Sequence, residues 1–342
     1  MKILITGGAG FVGSNVALFL KNKYPDYQIL ALDNLSRRGS EFNLDRLKKS
    51  KIEFIYGDVR NQNDLDLEFD VIIEASAEPS VLAGFDGKRR YLLDTNLYGA
   101  INCIEAALKN KARMIFISTS RIYPIEKINE LEYEELVSRY KLISKKKGIF
   151  NEGFNEEFDF IGKNRSLYGA TKLSAELLIN EYVNMFGLNA IINRCGLIAG
   201  KWQFGKNDQG VIPFWIMSYI FNKSLVIFGN GKQVRDVLNV DDLVELIDIQ
   251  IHQFEKFNGE TYNIGGGIEN SISILELDFL CKELIRDKKV EFRKDRELDI
   301  KYYVSDYSKI SKYWKPKKDV KTTILEIIEW VKENEKILRR IF

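Results

Sequence analysis

Lys2-Ile-Leu-Ile-Thr6-Gly7-Gly8-Ala9-Gly10-Phe11-Val12-Gly13 opens the chain with a short apolar run, a glycine-rich turn and the start of a helix-period stretch. Glycines placed this way serve a tight turn, room for a diphosphate against the backbone, and close packing of helix on strand. The helix N-terminus then offers free N–H groups and the positive end of its dipole. A second strand-length run, Gln28–Leu32, follows, and Asp33 stands twenty residues after Gly13. A carboxylate there accepts hydrogen bonds from a ribose 2′-hydroxyl and repels a 2′-phosphate. The pattern therefore reads as a dinucleotide site that favours NAD, with Arg37 and Arg38 leaving NADP open. After a third run, Ile52–Gly57, Asp58 stands either where an adenine amino group would lie or as a cap for the next helix.

Outward from this start, Val71–Ala75 and Arg113–Ser118 are also short and continuously apolar, as strands buried on both faces should be. Helical patterns at Phe11–Asn22, Arg90–Lys109 and Leu167–Phe186 alternate with these runs and with Leu188–Arg194. The alternation predicts an α/β fold, a Rossmann doubly wound parallel sheet with right-handed crossovers. The charged stretch Ile125–Lys147 reads as helix-prone, with Lys145–Lys147 at a solvated helix end. From Cys195 the character changes to a Gly- and Trp-bearing loop and smaller elements. Among these are strands near Leu225–Phe228 and Thr261–Ile264, helices near Val211–Phe221, Asp241–Phe254 and Ile274–Arg286, and a last helix over Thr323–Leu338. The expected organisation is a dinucleotide domain at 1–194 and a smaller α+β domain at 195–342, interleaved with the first.

Composition removes several function classes. The chain has 342 residues, enough for about two domains, and a net charge of +2, which gives no global attraction to nucleic acid or anionic membrane. Three scattered cysteines suit a reducing compartment, no run reaches membrane-span length, and the N-terminus reads as a strand and not a signal peptide; the expectation is cytoplasmic. The single histidine, His252, lies in a helix-period segment and is expected at the surface. A Ser-His-Asp triad or a multi-histidine metal centre cannot be built, no metal is expected, and any general base must be Tyr, Lys, Asp or Glu.

Tyr168 and Lys172, four apart on one expected helix, meet that need: an ammonium beside a phenol stabilises the phenolate. The same spacing recurs at Tyr123/Lys127, Tyr219/Lys223 and Tyr313/Lys317, so only place in the fold can promote one of the four. Pro124 and Pro316 interrupt the first and last of these.

With the glycine turn, Asp33, Ser118-Thr119-Ser120-Arg121-Ile122-Tyr123 and Tyr168/Lys172 in this order, the chain resembles the extended short-chain dehydrogenases/reductases that act on nucleotide sugars, the NAD-dependent epimerase/dehydratase family. The segment Gly231-Lys-Gln-Val-Arg235-Asp236-Val-Leu-Asn239-Val-Asp241 is similar to that family's R-D-x-x-x-V-x-D. Asp33–Gly39, Ser76–Gly84, Asn193–Gly200, Asp208-Gln209-Gly-Val and Gly231–Asp236 resemble more closely the CDP-paratose 2-epimerase (tyvelose epimerase) branch. The resemblance implies NAD contacts at Gly7, Gly10, Phe11, Val12, Gly13, Asp33, Asn34, Arg37, Asp58, Val59 and Ala75, with Tyr168 and Lys172. It also implies a nucleotide-diphosphate sugar, a CDP-sugar first, touched by Thr119, Gln209 and Arg235, and a homodimer or larger assembly through the two long helices.

Three departures bear on the reaction. Glu74 replaces a histidine common after the fourth strand of the wider family. Cys195-Gly-Leu197 follows Arg194 where 4-epimerases carry an Asn, and Ser120-Arg121 follows Thr119 where 4,6-dehydratases place Asp-Glu. The resemblance thus implies a 2-epimerase with Thr119, Tyr168 and Lys172 as catalytic residues. Tyr168 takes the hydroxyl proton as hydride leaves the sugar carbon for NAD, and the ketone is reduced from its other face. The alternatives are a UDP-sugar 4-epimerase and, in a different class, an NAD-binding regulatory or structural protein without chemistry.

Overall fold

The computed structural model describes residues 1–206, 209–296 and 299–342, which gather into two compact units. Unit 1 comprises Met1–Thr119, Leu167–Arg194 and Leu243–Thr261. Its elements are β1 (Lys2–Thr6), α1 (Phe11–Lys23), β2 (Gln28–Asp33), β3 (Glu53–Tyr56), β4 (Val71–Glu74), α2 (Gly99–Asn110), β5 (Arg113–Thr119), α3 (Ser166–Phe186), β6 (Asn189–Cys195) and most of α4 (Val240–His252), and it ends at Thr261, the first residue of β7 (Thr261–Ile264). The strands form one seven-stranded sheet in the order β7-β6-β5-β4-β1-β2-β3, whose assigned pairings β3-β2, β2-β1, β1-β4 and β4-β5 are all parallel. The α/β expectation holds, and the apolar strand runs lie where it put them because both sheet faces are covered: Ile3, Leu4, Ile5, Ile72, Ile73, Met114, Ile115 and Phe116 are fully buried. Strand order reverses at β1/β4, and Thr6 pairs with Glu74 there, which opens a crevice beyond the carboxyl ends of the strands.

The expected helix over Arg90–Lys109 begins as Arg89–Leu93, loosens into a π-helical turn at Asp94–Tyr98 and continues as α2. The strand Thr261–Ile264, expected among the smaller elements, is the edge of this large sheet. His252 is exposed at the end of α4, where Nε2 meets the Tyr27 hydroxyl at 2.9 Å, as expected for a surface residue.

Unit 2 comprises Ser120–Ser166, Cys195–Asp242 and Tyr262–Phe342. It carries a four-stranded mixed sheet centred on Val234–Asn239, with helices Val211–Ile220, Ile274–Leu284 and Val320–Glu333. Here one expectation is corrected. Ile125–Lys147 is not a helix: after a single turn, Ile125–Asn129, it forms the antiparallel pair Tyr133–Glu135 and Tyr140–Leu142, and Lys145–Lys147 lie outside any helix. Tertiary partners outweigh the helix propensity of its Lys and Glu residues. The Tyr140 amide donates to the Lys232 carbonyl, and Arg139 between the strands is held by Glu276 at 2.7 Å.

Asp236 is fully buried on Val234–Asn239, where its Oδ2 accepts from the Ser305 amide at 3.1 Å and the Gly267 amide at 3.3 Å. Burial pushes its pKa up to about 6 from 3.8, against the pull of those amides. The folded chain therefore keeps this proton longer than the unfolded chain, and stability falls as pH rises through that window, by about 3 kcal/mol in all. Asp236→Asn should flatten the fall, so denaturant unfolding at pH 4.5 and pH 7.5 should differ less in the variant than in the parent. An unchanged difference would remove Asp236 as its source.

Candidate functional site

The glycine turn fits a diphosphate. Gly7 has φ +64°, and a Cβ there would lie 2.8 Å from the Ala75 carbonyl oxygen, so the ends of β1 and β4 approach as closely as backbone allows. A Cβ on Gly13 would lie 2.2 Å from the Gly7 oxygen, which is the helix-on-strand contact the pattern demands. At Gly10 a Cβ would meet only Gly7 backbone, at 3.0 Å, leaving open space over the turn. No side chain caps α1 and no acid stands in its first turn, so the N–H groups of Phe11, Val12 and Gly13 face a site that favours an anion. Asn43 steadies the turn by donating to the Ala9 carbonyl at 2.8 Å.

Asp33 ends β2 with Oδ2 accepting from the Ala9 amide at 3.1 Å and Oδ1 from the Leu35 amide at 2.8 Å, which aims its carboxylate at the same turn. Burial raises its pKa and these amides oppose the rise. Asn34 donates to Asp58 at 2.8 Å. Asp58 is gripped by Arg60, at 2.6 Å, which with Asn34 brings its pKa down to about 2. The cap of the next helical turn is Asn61, accepting from the Asn63 amide, and not Asp58. Val59 is buried, and a Cβ on Gly99 of α2 would lie 2.6 Å from its methyl carbon. Arg37 is half-buried and Arg38 exposed. The residues present thus suit the two phosphates and a ribose of NAD.

Thr119, Tyr168 and Lys172 all belong to unit 1. Thr119 is the last residue of β5; Tyr168 and Lys172 occupy the first two turns of α3 on its inward face, and all three are buried. Of the four Tyr-x-x-x-Lys spacings, only this one lies within a single helix. Ile125–Asn129 starts after Tyr123, Val211–Ile220 ends before Lys223, and Tyr313–Lys317 carries no helix. Lys172 Nζ donates to Glu74 Oε2 at 3.3 Å and lies 4.2 Å from the Phe116 ring centre. The Glu74 Oε1 accepts from the Ser76 hydroxyl at 2.6 Å.

A second buried carboxylate lies further along the same helix face. Glu176, one turn beyond Lys172, accepts from the Ser118 hydroxyl, from Arg194 Nε at 2.9 Å and from Arg194 Nη2 at 2.8 Å. It ties the ends of β5 and β6 to α3 through Arg194 and through Ser118, the residue before Thr119. Asn96 of the π-turn clamps the loop after β4, accepting from the Glu78 amide at 2.8 Å and donating to the Glu78 carbonyl and to Thr171. Sequence reasoning missed Glu176 and Arg194, although the spacing Tyr168-x-x-x-Lys172-x-x-x-Glu176 was a readable signal.

In unit 2, Arg235 points its guanidinium to Asp299 at 3.1 Å and to the Val234 carbonyl, not to Asp236 or Asp241, and burial lowers its pKa. Gln209 forms a bridge with Lys206, and its buried side-chain oxygen has no hydrogen-bond partner among the described residues. Asp208 lies outside the described residues. Trp202 and Phe204 pack against Trp330, while Trp215 is buried and reaches Asp278. Tyr123 is buried, with its hydroxyl on Asn263 at 2.9 Å. Among the described residues no group of three His, Cys, Asp or Glu side chains can hold a metal, and no helix is long and apolar enough to cross a membrane.

The model of the NAD dependent epimerase/dehydratase family matches residues 3–265. CDP-paratose 2-epimerase of Salmonella typhi is 32% identical over 96% of this chain and 99% of its own. A double mutant of the dTDP-glucose 4,6-dehydratase of Streptomyces venezuelae, solved with NAD, superposes with a TM-score of 0.83 at 25% identity, covering 100% of both chains. UDP-glucose 4-epimerase of Thermotoga maritima, solved with UDP-glucose, shares the fold with a TM-score of 0.79 at 23% identity, over 98% of this chain and 100% of its own.

Proposed function

Since the chain belongs to the NAD-dependent epimerase/dehydratase family, we propose that it is a nucleotide-sugar 2-epimerase whose substrate is a CDP-linked deoxysugar. Its chemistry is that of an NAD-dependent enzyme of nucleotide-sugar epimerisation or dehydration. The observation that carries the finer reading is the 32% identity to a CDP-paratose 2-epimerase along nearly the whole of both chains. The absence of carboxylates at Ser120-Arg121 speaks against dehydration, which needs an acid beside the departing hydroxyl.

NAD, when bound, supplies a hydride acceptor that gives the hydride back, so an unactivated carbinol is inverted with no net redox change. In this reading Tyr168 holds the proton of the reacting hydroxyl, Thr119 hydrogen-bonds the same oxygen, and Lys172 stabilises the phenolate form of Tyr168 and reaches the ribose. Gly7, Gly10 and the first turn of α1 hold the diphosphate, with Asp33 on a ribose. Arg235 serves the sugar diphosphate and Gln209 the substrate. The exposed Leu177, Met185 and Phe186 on α3 support a homodimer.

The test is a panel of CDP-, UDP- and GDP-sugars incubated without added cofactor and followed by NMR at C2 and C4. Inversion at C2 of a CDP-sugar is expected. Inversion at C4 of a UDP-sugar alone would overturn the choice of carbon and nucleotide, and no hydride exchange with any sugar would overturn the enzymatic reading.

A further inference from the structure

We propose that Glu74 is a positioning residue for this reaction, the anion that keeps the buried Lys172 ammonium both protonated and aimed. The inference rests on the role given to Lys172 above. The two side chains are 1% and 3% exposed, and Lys172 otherwise faces the Phe116 ring. An ammonium so placed, with no counter-charge, sheds its proton readily, and a neutral lysine cannot stabilise a phenolate. Glu74 is itself held in place, since it ends β4, is paired in register with Phe116 of β5, and has its second oxygen occupied by Ser76. Among the described residues, the other groups near the pair do not replace Glu74. Cys103 of α2 has its thiol pushed well above its ordinary range by burial, beside the Thr6 hydroxyl of β1, and Tyr168 is the group whose phenolate Lys172 serves. Glu176, further along α3, is already engaged by Arg194 and Ser118.

The experiment compares the parent with Glu74→Gln, Glu74→Asp, and Glu74→Gln combined with Lys172→Met. Denaturant stability of the purified protein is measured from pH 6 to pH 9.5 with no cofactor added. In Glu74→Gln the folded chain releases the Lys172 proton before the unfolded chain does, so stability should rise with pH relative to the parent, and the double variant should lose that rise. In turnover, Glu74→Gln should lose about tenfold or more above pH 8 and much less below pH 7, with Glu74→Asp restoring most of it. Parallel pH series for Glu74→Gln and the parent, in stability and in kcat, would overturn the proposal. Should Glu74→Gln fail to fold, folding of the double variant supports the pairing, and failure of both overturns it. If the parent turns over no nucleotide sugar, the functional reading fails while the stability series still decides the pair.

Discussion

Tyr168→Phe is expected to lose turnover by about 10²- to 10⁴-fold while the purified protein still carries NAD. The substitution removes one oxygen from a buried side chain and leaves the ring that fills its place. Lys172 keeps its bond to Glu74, and the glycine turn and Asp33 are untouched, so cofactor retention should not change. Nothing else among the described residues offers the same arrangement. The other three tyrosine–lysine spacings are split by helix ends or by proline, and the one histidine lies at the surface end of α4. The measurement is kcat with the preferred sugar nucleotide, beside the NAD released on denaturation. Activity within about threefold of the parent would reassign the base, since a positioned acid–base group is worth far more than that.

Glu176→Leu should cost about 3–5 kcal/mol of stability. It leaves the Arg194 guanidinium buried without its carboxylate and the Ser118 hydroxyl without its acceptor. Replacing both charges, Glu176→Leu with Arg194→Met, should recover much of the loss, because two apolar side chains of similar volume take both buried charges away together. Denaturant unfolding of the parent, both single variants and the double gives the coupling energy. Additive losses would show that the two residues stabilise the fold separately. A fall in kcat in the refolded double variant is also expected, because Ser118 precedes Thr119 at the end of β5.

The central strands of the large sheet were legible because a strand buried on both faces is apolar throughout, and the short runs holding Ile3-Leu4-Ile5 and Ile72-Ile73 have strand length and alternate with helical patterns. The turn at Gly7–Gly13 was legible for a similar reason, since Gly7 and Gly13 each answer a contact that a Cβ would break. Ile125–Lys147 was not legible. Its conformation is set by Glu276 and Lys232, far downstream, and no local pattern announces them. Glu74 was visible as a departure, but its partner was not, because a strand end and a helix turn 98 residues apart meet only in three dimensions. Asp236 stood inside a recognised motif, and nothing in the sequence told its full burial from the partial burial of its neighbour Arg235.

Helix α3 spends three successive inward turns on Tyr168, Lys172 and Glu176, the last two held by named partners on the sheet. This makes the helix a ruler with two kinds of length. One residue inserted between Tyr168 and Glu176 would rotate everything after it by about 100° and take at least one of the three off the sheet at a stroke. One inserted beyond Ile179, where Glu181, Met185 and Phe186 are exposed, would lengthen the rod and leave the chemistry in register. Tolerance to insertion should therefore change abruptly along a single helix, between the stretch that ends at Glu176 and the stretch that follows Ile179.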